Sequence, residues 1–156
     1  MESQMSFATK FLKALDSVSP APIASAHCDG PCGVYDPASA RVAAEAVLSM
    51  TKKLTDLDMS ADGAHNTYAR YVAIKEEQAE LAKRELLILW TDYFKPTHLE
   101  AYPELHTIFW NAAKQASSCK THVDVSIAEE FLAQIESIHN MFWESKGKQV
   151  PWVLAS

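Results

Sequence analysis

The sequence predicts an all-α protein built as an antiparallel, up-and-down four-helix bundle. Four segments repeat apolar residues at the 3.6-residue spacing of an amphipathic helix, and residues that break helices separate them. No segment shows the alternating pattern of a strand, and no internal repeat is present. The short connections between the four segments favour antiparallel neighbours.

Length and charge narrow the class of protein. A chain of 156 residues with 48% hydrophobic content has the size of one domain and can bury a core. The net charge of −6, with no Lys or Arg cluster longer than two, argues against nucleic acid or an anionic membrane as a partner. No apolar run approaches the roughly 18 to 20 residues of a membrane span. We therefore expect a soluble, single-domain protein.

Residues 1–26 differ in character from the rest of the chain. A weak amphipathic helix with interrupting lysines is followed by a linker rich in Ser, Pro and Ala. The segment lacks the basic start and the uninterrupted apolar stretch of a secretory signal, but the small residues at 24–26 resemble an accessible cleavage site. We interpret residues 1–26 as a leader that is removed.

The first two bundle helices have clear boundary signals. Asp36 and Pro37 predict a helix start, as N-cap and first helical residue, and this helix should run to about Leu57. Its predicted core stripe is Val42, Ala46, Val47, Met50, Leu54 and Leu57. After a break at residues 60–63, the second helix should run to about Thr91. Its predicted stripe is Tyr71, Ile74, Gln78, Leu81, Glu85 and Ile88.

The connection to the third helix contains two prolines. Pro96 stops the second helix because the residue before a proline avoids the helical region. Thr97 with Glu100 is a candidate cap for a single turn. Pro103 then opens the third helix, which should fade within residues 117–124.

The fourth helix has the clearest start. Ser126 followed by Glu129 fits a capping box, and the apolar period continues to about residue 146. The bundle therefore spans residues 37–146, and residues 147–156 form a tail. Two apolar tail residues suggest docking on a neighbour, with a disordered end as the alternative: Trp152 and Val153.

The cysteines direct attention to one short stretch. Three cysteines cannot form a closed disulfide framework, and Cys28 and Cys32 lie within five residues of each other. Cys119 lies on a helical pattern and is predicted to pack as a small hydrophobe. No Gly-rich phosphate loop, Gly-x-Ser-x-Gly motif or Cys-x-x-Cys pair is present. The chemistry is therefore expected around Cys28 and Cys32.

The stretch SAHCDGPCGVYDP, residues 25–37, can bring its two thiols to one point. Pro31 prevents a helix, while Gly30 and Gly33 permit unusual backbone angles. Such a loop can chelate a metal ion. From the cysteine pair alone, zinc, a redox disulfide and no role remain open, because a closed zinc site needs four ligands.

His27 supplies the missing ligands if the chain is cut after Ala26. Its free amine, its imidazole and the next backbone amide nitrogen then accompany the two thiolates. Tetragonal coordination by nitrogen and sulfur suits Ni(II) or Cu(II) better than it suits zinc, which prefers tetrahedral coordination. Cleavage before His27 would therefore create an N-terminal metal-binding hook over residues 27–36.

The residues from His27 to Tyr35, HCDGPCGVY, resemble the hook of nickel-dependent superoxide dismutases. The motif of that family is His-Cys-x-x-Pro-Cys-Gly-x-Tyr, and every fixed position matches. Three more segments resemble the family at the expected separations: IKEEQAELAK at 74–83, LWTDYFKPTH at 89–98 and YPELHT at 102–107. The resemblance covers most of residues 27–146.

The resemblance implies disproportionation of superoxide to O₂ and H₂O₂ through a Ni(III)/Ni(II) cycle. It implies one nickel ion per subunit, held by the His27 amine, the Cys28 amide nitrogen, and the Cys28 and Cys32 thiolates. The His27 imidazole is then the axial ligand of the oxidised state. Tyr35 and Tyr93 are implied to screen the nickel and to hold solvent beside it. The resemblance also implies a homohexamer, a processing protease and, as a candidate partner, a nickel chaperone.

Two positions depart from the family pattern. In well-known members, a glutamate and an arginine orient the axial histidine, and the matching positions here are Ala43 and Gln78. The nickel ligands are unchanged, and two thiolates with a deprotonated amide still stabilise the higher charge of Ni(III). We therefore expect activity, with Gln78 as the candidate that orients His27.

Two other functions fit the hook. It could bind nickel or copper without turnover, or it could act as a thiol switch that closes a disulfide between Cys28 and Cys32 in the unprocessed chain. We expect a cytoplasmic protein, with export or organelle import by the leader as the alternative.

Overall fold

The computed structural model describes residues 33–155, which belong to one compact unit that begins at Gly33. This unit contains four α-helices: α1 (Ala38–Thr55), α2 (Ala64–Ile88), α3 (Leu105–Thr121) and α4 (Val125–Ser145). Each helix packs on the next, and α1 also packs on α4, so the four enclose one core. The predicted all-α four-helix bundle is confirmed. None of the described helices is long and apolar enough to cross a membrane.

The core faces of α1 and α2 differ from the predicted stripes. In α1, only Val47 and Leu54 of the predicted stripe are buried, and Val42 is 48% exposed. In α2, the buried face is shifted by one residue, to Lys75, Ala79, Ala82 and Leu86. Alanines at these positions allow the helices to approach each other closely. A prediction based on large apolar residues therefore selected the wrong face.

The start of α1 lies one residue later than predicted. Ala38 is the first helical residue, with Pro37 before it, so Pro37 is not itself the first helical residue. The Asp36 carboxylate still accepts a hydrogen bond from the Ala38 N–H at 2.8 Å. Asp36 therefore satisfies one of the free N–H groups of the first turn, as a capping residue does.

Two other predicted caps are wrong. The single turn Pro96–Leu99 is held by His98, whose Nδ1 accepts a hydrogen bond from the Lys95 N–H at 2.9 Å, and not by Thr97 with Glu100. The cap of α4 is Asp124, whose carboxylate accepts from the N–H groups of residues 126 and 127. An Asp carboxylate is an equally good cap, so the serine two residues later becomes part of the helix.

The end of α4 reverses the chain. Gly147 has a φ of +66°, a left-handed conformation that glycine adopts without steric cost. The N–H of Gly147 donates to the Glu144 carbonyl at 2.8 Å, and that of Lys148 donates to the Trp143 carbonyl at 2.9 Å. These bonds close the helix end in the Schellman pattern.

Residues 148–155, called here the C-terminal strap, then fold back on the bundle. The His139 Nε2 donates to the Val150 carbonyl at 2.9 Å, and the Trp152 ring lies 5.2 Å from the His139 ring. The N–H of Ala155 donates to the Glu45 carboxylate in α1 at 2.6 Å. Trp152 therefore docks on its own chain, while Val153 is largely exposed.

Candidate metal centre

The predicted ligands His27, Cys28 and Cys32 lie outside the described residues. The described part of the chain begins directly after them, at Gly33, whose φ of +68° is again left-handed. Tyr35 follows, half-buried, two residues before the proline that precedes α1. Within residues 33–155, no three His, Cys, Asp or Glu side chains are grouped so that they could hold a metal ion.

Tyr93 lies at an irregular helix end. After Ile88, the chain continues in one turn of π-helix, Leu89–Tyr93, closed by a bond of 3.1 Å from the Phe94 N–H to the Leu89 carbonyl. A π-turn inserts an extra residue per turn and changes the direction of the side chains, and such turns are frequent at functional sites. Phe94 is then extended, and the helix ends.

The structure brings the two predicted site tyrosines together. The rings of Tyr35 and Tyr93 have centroids 5.7 Å apart and are tilted by 57°. Both side chains are half-buried and pack against the core. Tyr35 comes from the segment before α1 and Tyr93 from the π-turn after α2, so tertiary packing creates the contact.

Aromatic neighbours hold the Tyr93 ring. Phe142 lies 4.5 Å away, Phe94 lies 4.9 Å away in an edge-on arrangement, and the His98 imidazole is stacked at 5.6 Å with an angle of 17°. The Lys146 ammonium is 5.2 Å from the centre of the ring. Aromatic pairs contribute about 0.5–1.5 kcal/mol each, so this cluster fixes the ring.

The Tyr93 hydroxyl also has a partner. Its oxygen lies 2.7 Å from Ser145 Oγ, at the last residue of α4. The sequence prediction missed Ser145, His98, Phe142 and Lys146 as neighbours of Tyr93. Only His98 lies in a family-like segment, and the other three lie at the end of an amphipathic helix, where no motif distinguishes them.

Tyr102 is a second half-buried phenol, close to Tyr93. Burial raises the pKa of Tyr102, and the Glu144 carboxylate that accepts its hydrogen bond raises it further. Tyr102 therefore keeps its proton across the neutral range. Like Ser145, Glu144 belongs to the last turn of α4, so this turn contacts both tyrosines.

The two departures from the family pattern lie on adjacent helices. Ala43 is fully buried on α1, and Gln78 is half-buried on α2, which packs against α1. A glutamate does occur close by in α1: Glu45 is buried and forms an ion pair with Arg41. This pair lies within one helix. The glutamate and arginine of well-known family members instead match positions on two helices, Ala43 of α1 and Gln78 of α2.

Comparison with known proteins assigns the chain to one group. A family model described as nickel-containing superoxide dismutase matches residues 22–146. The "Superoxide dismutase [Ni]" of Streptomyces seoulensis is 48% identical over 122 residues, which cover 78% of this chain and 89% of that protein. The protein of the same name from Streptomyces coelicolor is 44% identical over 122 residues, with the same coverage.

Solved structures agree with the sequence matches. A crystal structure of Ni-containing superoxide dismutase, with nickel ligation corresponding to the state after partial X-ray-induced reduction, superposes with a TM-score of 0.70 at 46% identity. It matches 78% of this chain and 99% of that chain. A native nickel superoxide dismutase structure gives a TM-score of 0.69 at 42% identity. With the family match, the shared bundle and the meeting of the two tyrosines, the chain is a member of the nickel-containing superoxide dismutase family.

Proposed function

We propose that this nickel superoxide dismutase works at a hook formed by residues 27–36 once residues 1–26 are removed. The enzyme disproportionates superoxide to O₂ and H₂O₂ with nickel as its cofactor, as its family membership establishes. The contact between Tyr35 and Tyr93 carries the assignment of the site. Tyr35 belongs to the hook segment and lies only three residues after Cys32, so one member of the tyrosine pair is close in sequence to the proposed ligands.

The donor set of the hook fits nickel. His27 offers a terminal amine and an imidazole, Cys28 offers an amide nitrogen and a thiolate, and Cys32 offers the second thiolate. Nitrogen and thiolate donors in a tetragonal arrangement suit Ni(II). When bound there, nickel supplies a Ni(III)/Ni(II) couple that accepts an electron from one superoxide and returns it to the next.

Residues 1–26 are proposed to control when the site forms. While the leader is attached, the nitrogen of His27 belongs to a peptide bond, and it cannot act as an amine ligand. Cleavage after Ala26 releases the amine and completes the donor set. A processing protease is therefore required, a nickel chaperone is a candidate partner, and the cytoplasm is the proposed compartment.

Tyr35 and Tyr93 are proposed to control what reaches the metal. Their tilted rings form a wall that excludes molecules much larger than superoxide. The reaction consumes two protons for each H₂O₂ formed, so water has to be held close to the site. The two hydroxyls are suitable partners for that water.

We also propose that the subunits assemble into a homohexamer. The described bundle leaves large apolar side chains in water along α2 and α3: Tyr68, Ile74, Leu87 and Trp110, the last 55% exposed. These side chains are the candidates for the contacts between subunits, since exposed apolar surface that forms a continuous patch often marks such contacts.

Replacement of single cysteines tests the proposed site. In a chain that starts at His27, Cys28→Ser and Cys32→Ser should each lower nickel affinity at least about tenfold and reduce superoxide turnover to background. Cys119→Ala is the matched control, because Cys119 is buried in α3 and far from the hook in sequence. Nickel content by elemental analysis and superoxide decay after pulse radiolysis are the measurements.

The outcomes distinguish superoxide dismutation from metal binding without turnover and from a thiol switch. If the parent chain binds nickel without consuming superoxide, the hook is a metal-binding module. If the unprocessed chain shows a reversible disulfide between Cys28 and Cys32 and the cut chain is inactive, the hook is a thiol switch. Full turnover in either cysteine variant would contradict the proposed ligand set.

A further inference from the structure

We infer that Ser145 is a positioning residue that fixes the direction of the Tyr93 hydroxyl, so that Tyr93 acts as a hydrogen-bond acceptor toward the site. This inference rests on the proposed function, in which Tyr93 lies beside the nickel hook. It concerns the side chain at the end of α4, which no motif in the sequence identifies.

Two contacts of Ser145 determine which group donates. Ser145 Oγ lies 2.7 Å from the Tyr93 hydroxyl, and by distance either oxygen could be the donor. Ser145 Oγ also lies 2.6 Å from the Phe142 carbonyl oxygen, which can only accept. A serine hydroxyl has a single proton. Because that proton bonds to Phe142, Tyr93 has to donate its own proton to Ser145.

The Phe142 carbonyl lacks its regular helical donor, which favours the orientation in which the Ser145 hydroxyl donates to it. In a regular helix, the N–H of Lys146 would bond to this carbonyl, but it bonds to the Trp143 and Glu144 carbonyls. Phe142 is completely buried, so water does not replace the missing donor. A buried carbonyl without a partner costs about 1–3 kcal/mol. Ser145 therefore keeps its proton on Phe142.

The surroundings of the phenol keep its oxygen in place. The Tyr93 ring is packed against Phe142 at 4.5 Å and stacked on His98 at 5.6 Å. His98 is itself fixed by the bond from the Lys95 N–H to its Nδ1. The ring thus sets the position of the oxygen, and Ser145 sets the direction of its proton.

The direction of the proton decides what Tyr93 can bind. With its O–H donated to Ser145, the Tyr93 oxygen presents lone pairs to any other molecule. Water and hydrogen peroxide can donate to those lone pairs, whereas superoxide, which has no proton, cannot. Tyr93 therefore holds the water that supplies protons, or the protonated product, and does not bind superoxide directly.

Spectroscopy of the metal-free protein tests the hydrogen bond. Tyrosine labelled with ¹³C at the carbon bearing the hydroxyl gives one signal per tyrosine, and the signal lost in Tyr93→Phe identifies Tyr93. Ser145→Ala should shift this signal, and Ser145→Thr, which keeps a hydroxyl, should restore it. Ser137→Ala, at an exposed position of the same helix, is the control and should leave it unchanged. A Tyr93 signal that does not move in Ser145→Ala would overturn the inference.

Turnover of the nickel-loaded enzyme tests the role in the reaction. At equal nickel content, Ser145→Ala should lower superoxide turnover by about two- to tenfold, the range expected for one hydrogen bond. In a Tyr93→Phe background, the same change should have no further effect. An undiminished effect of Ser145→Ala in that background would overturn the inference. If Tyr93→Phe itself keeps full turnover, the proposed role of Tyr93 fails instead, and the positioning role fails with it.

Discussion

At the scale of single residues, the C-terminal end of α3 contains a buried thiol and contacts a buried lysine of α2. Lys75 is 1% exposed, and its ammonium donates to the carbonyls of Cys119, Lys120 and His122, the last two at 3.0 and 2.9 Å. These carbonyls lack helical partners, so one cation satisfies three of them and interacts favourably with the helix dipole. Burial lowers the pKa of Lys75, and the nearby Glu76 carboxylate partly opposes this.

The prediction that Cys119 packs as a small hydrophobe is confirmed. Its side chain is buried in the core, where Sγ lies 3.7 Å from the Ile127 carbonyl. Removal from water disfavours the thiolate. Burial therefore raises the pKa of Cys119 to about 11, and the Lys75 cation only partly opposes it.

Cys119 should make stability depend on alkaline pH. An exposed thiol in the unfolded chain titrates near 9 and the buried thiol near 11, so the folded state binds more protons between these values. The free energy of unfolding gained from Cys119 is complete below pH 9 and is lost as the pH rises through 11. The total is about 2–3 kcal/mol.

Urea unfolding from pH 8 to 11 checks this prediction by comparing the parent chain with Cys119→Ala. The difference in free energy of unfolding between them should shrink with rising pH over this window. Other groups, Lys75 included, titrate in both proteins and largely cancel in the difference. Parallel curves would show that the thiol is not shielded from water.

At the scale of elements, the C-terminal strap joins α4 to α1. Trp152 packs on His139 of α4 and lies under the Arg41 guanidinium of α1, at 5.9 Å. Arg41 in turn pairs with Glu45, which binds the end of the strap. The family match ends at residue 146, so this connection lies beyond the part that the family model covers.

Removal of the strap's aromatic anchor should weaken the bundle. Trp152→Ala is expected to lower the free energy of unfolding by about 1–3 kcal/mol, less than for a fully buried tryptophan because the ring is half-exposed. Val153→Ala, at a side chain that is 65% exposed, should change it by no more than about 0.5 kcal/mol. Thermal and urea unfolding of both variants measure the effect. Equal stability of the two variants would show that the strap is not anchored by Trp152.

The number and order of the helices could be predicted from the sequence, but their faces and caps could only partly be predicted. Periodicity locates amphipathic segments reliably when large residues form the core, as at Phe131, Ile135 and Ile138 of α4. In α2, the buried face consists of alanines, one leucine and one lysine, and no hydropathy pattern indicates a lysine there. At α4, Asp124 and Ser126 are both good caps, and only the structure shows which one is used.

At the scale of the whole molecule, the candidate site depends on both local and distant residues. A hook could be proposed from the sequence because its donors lie within six residues, His27 to Cys32, and it stays a prediction. Family resemblance implied that Tyr35 and Tyr93 both belong to the site, and the structure shows that their rings are in contact. Ser145 could not be predicted, because it reaches Tyr93 only when the folded bundle brings the end of α4 close to the π-turn that follows α2.

The most direct test of the account compares two chains that differ by one residue at the N-terminus, one starting at His27 and one at Ala26. Nickel content and superoxide turnover are measured for both under the same conditions. The chain that starts at His27 should bind nickel stoichiometrically and consume superoxide. The chain that starts at Ala26, whose His27 nitrogen remains in a peptide bond, should lose turnover at least about tenfold. Equal turnover in the two chains would contradict the claim that a free His27 amine completes the nickel site.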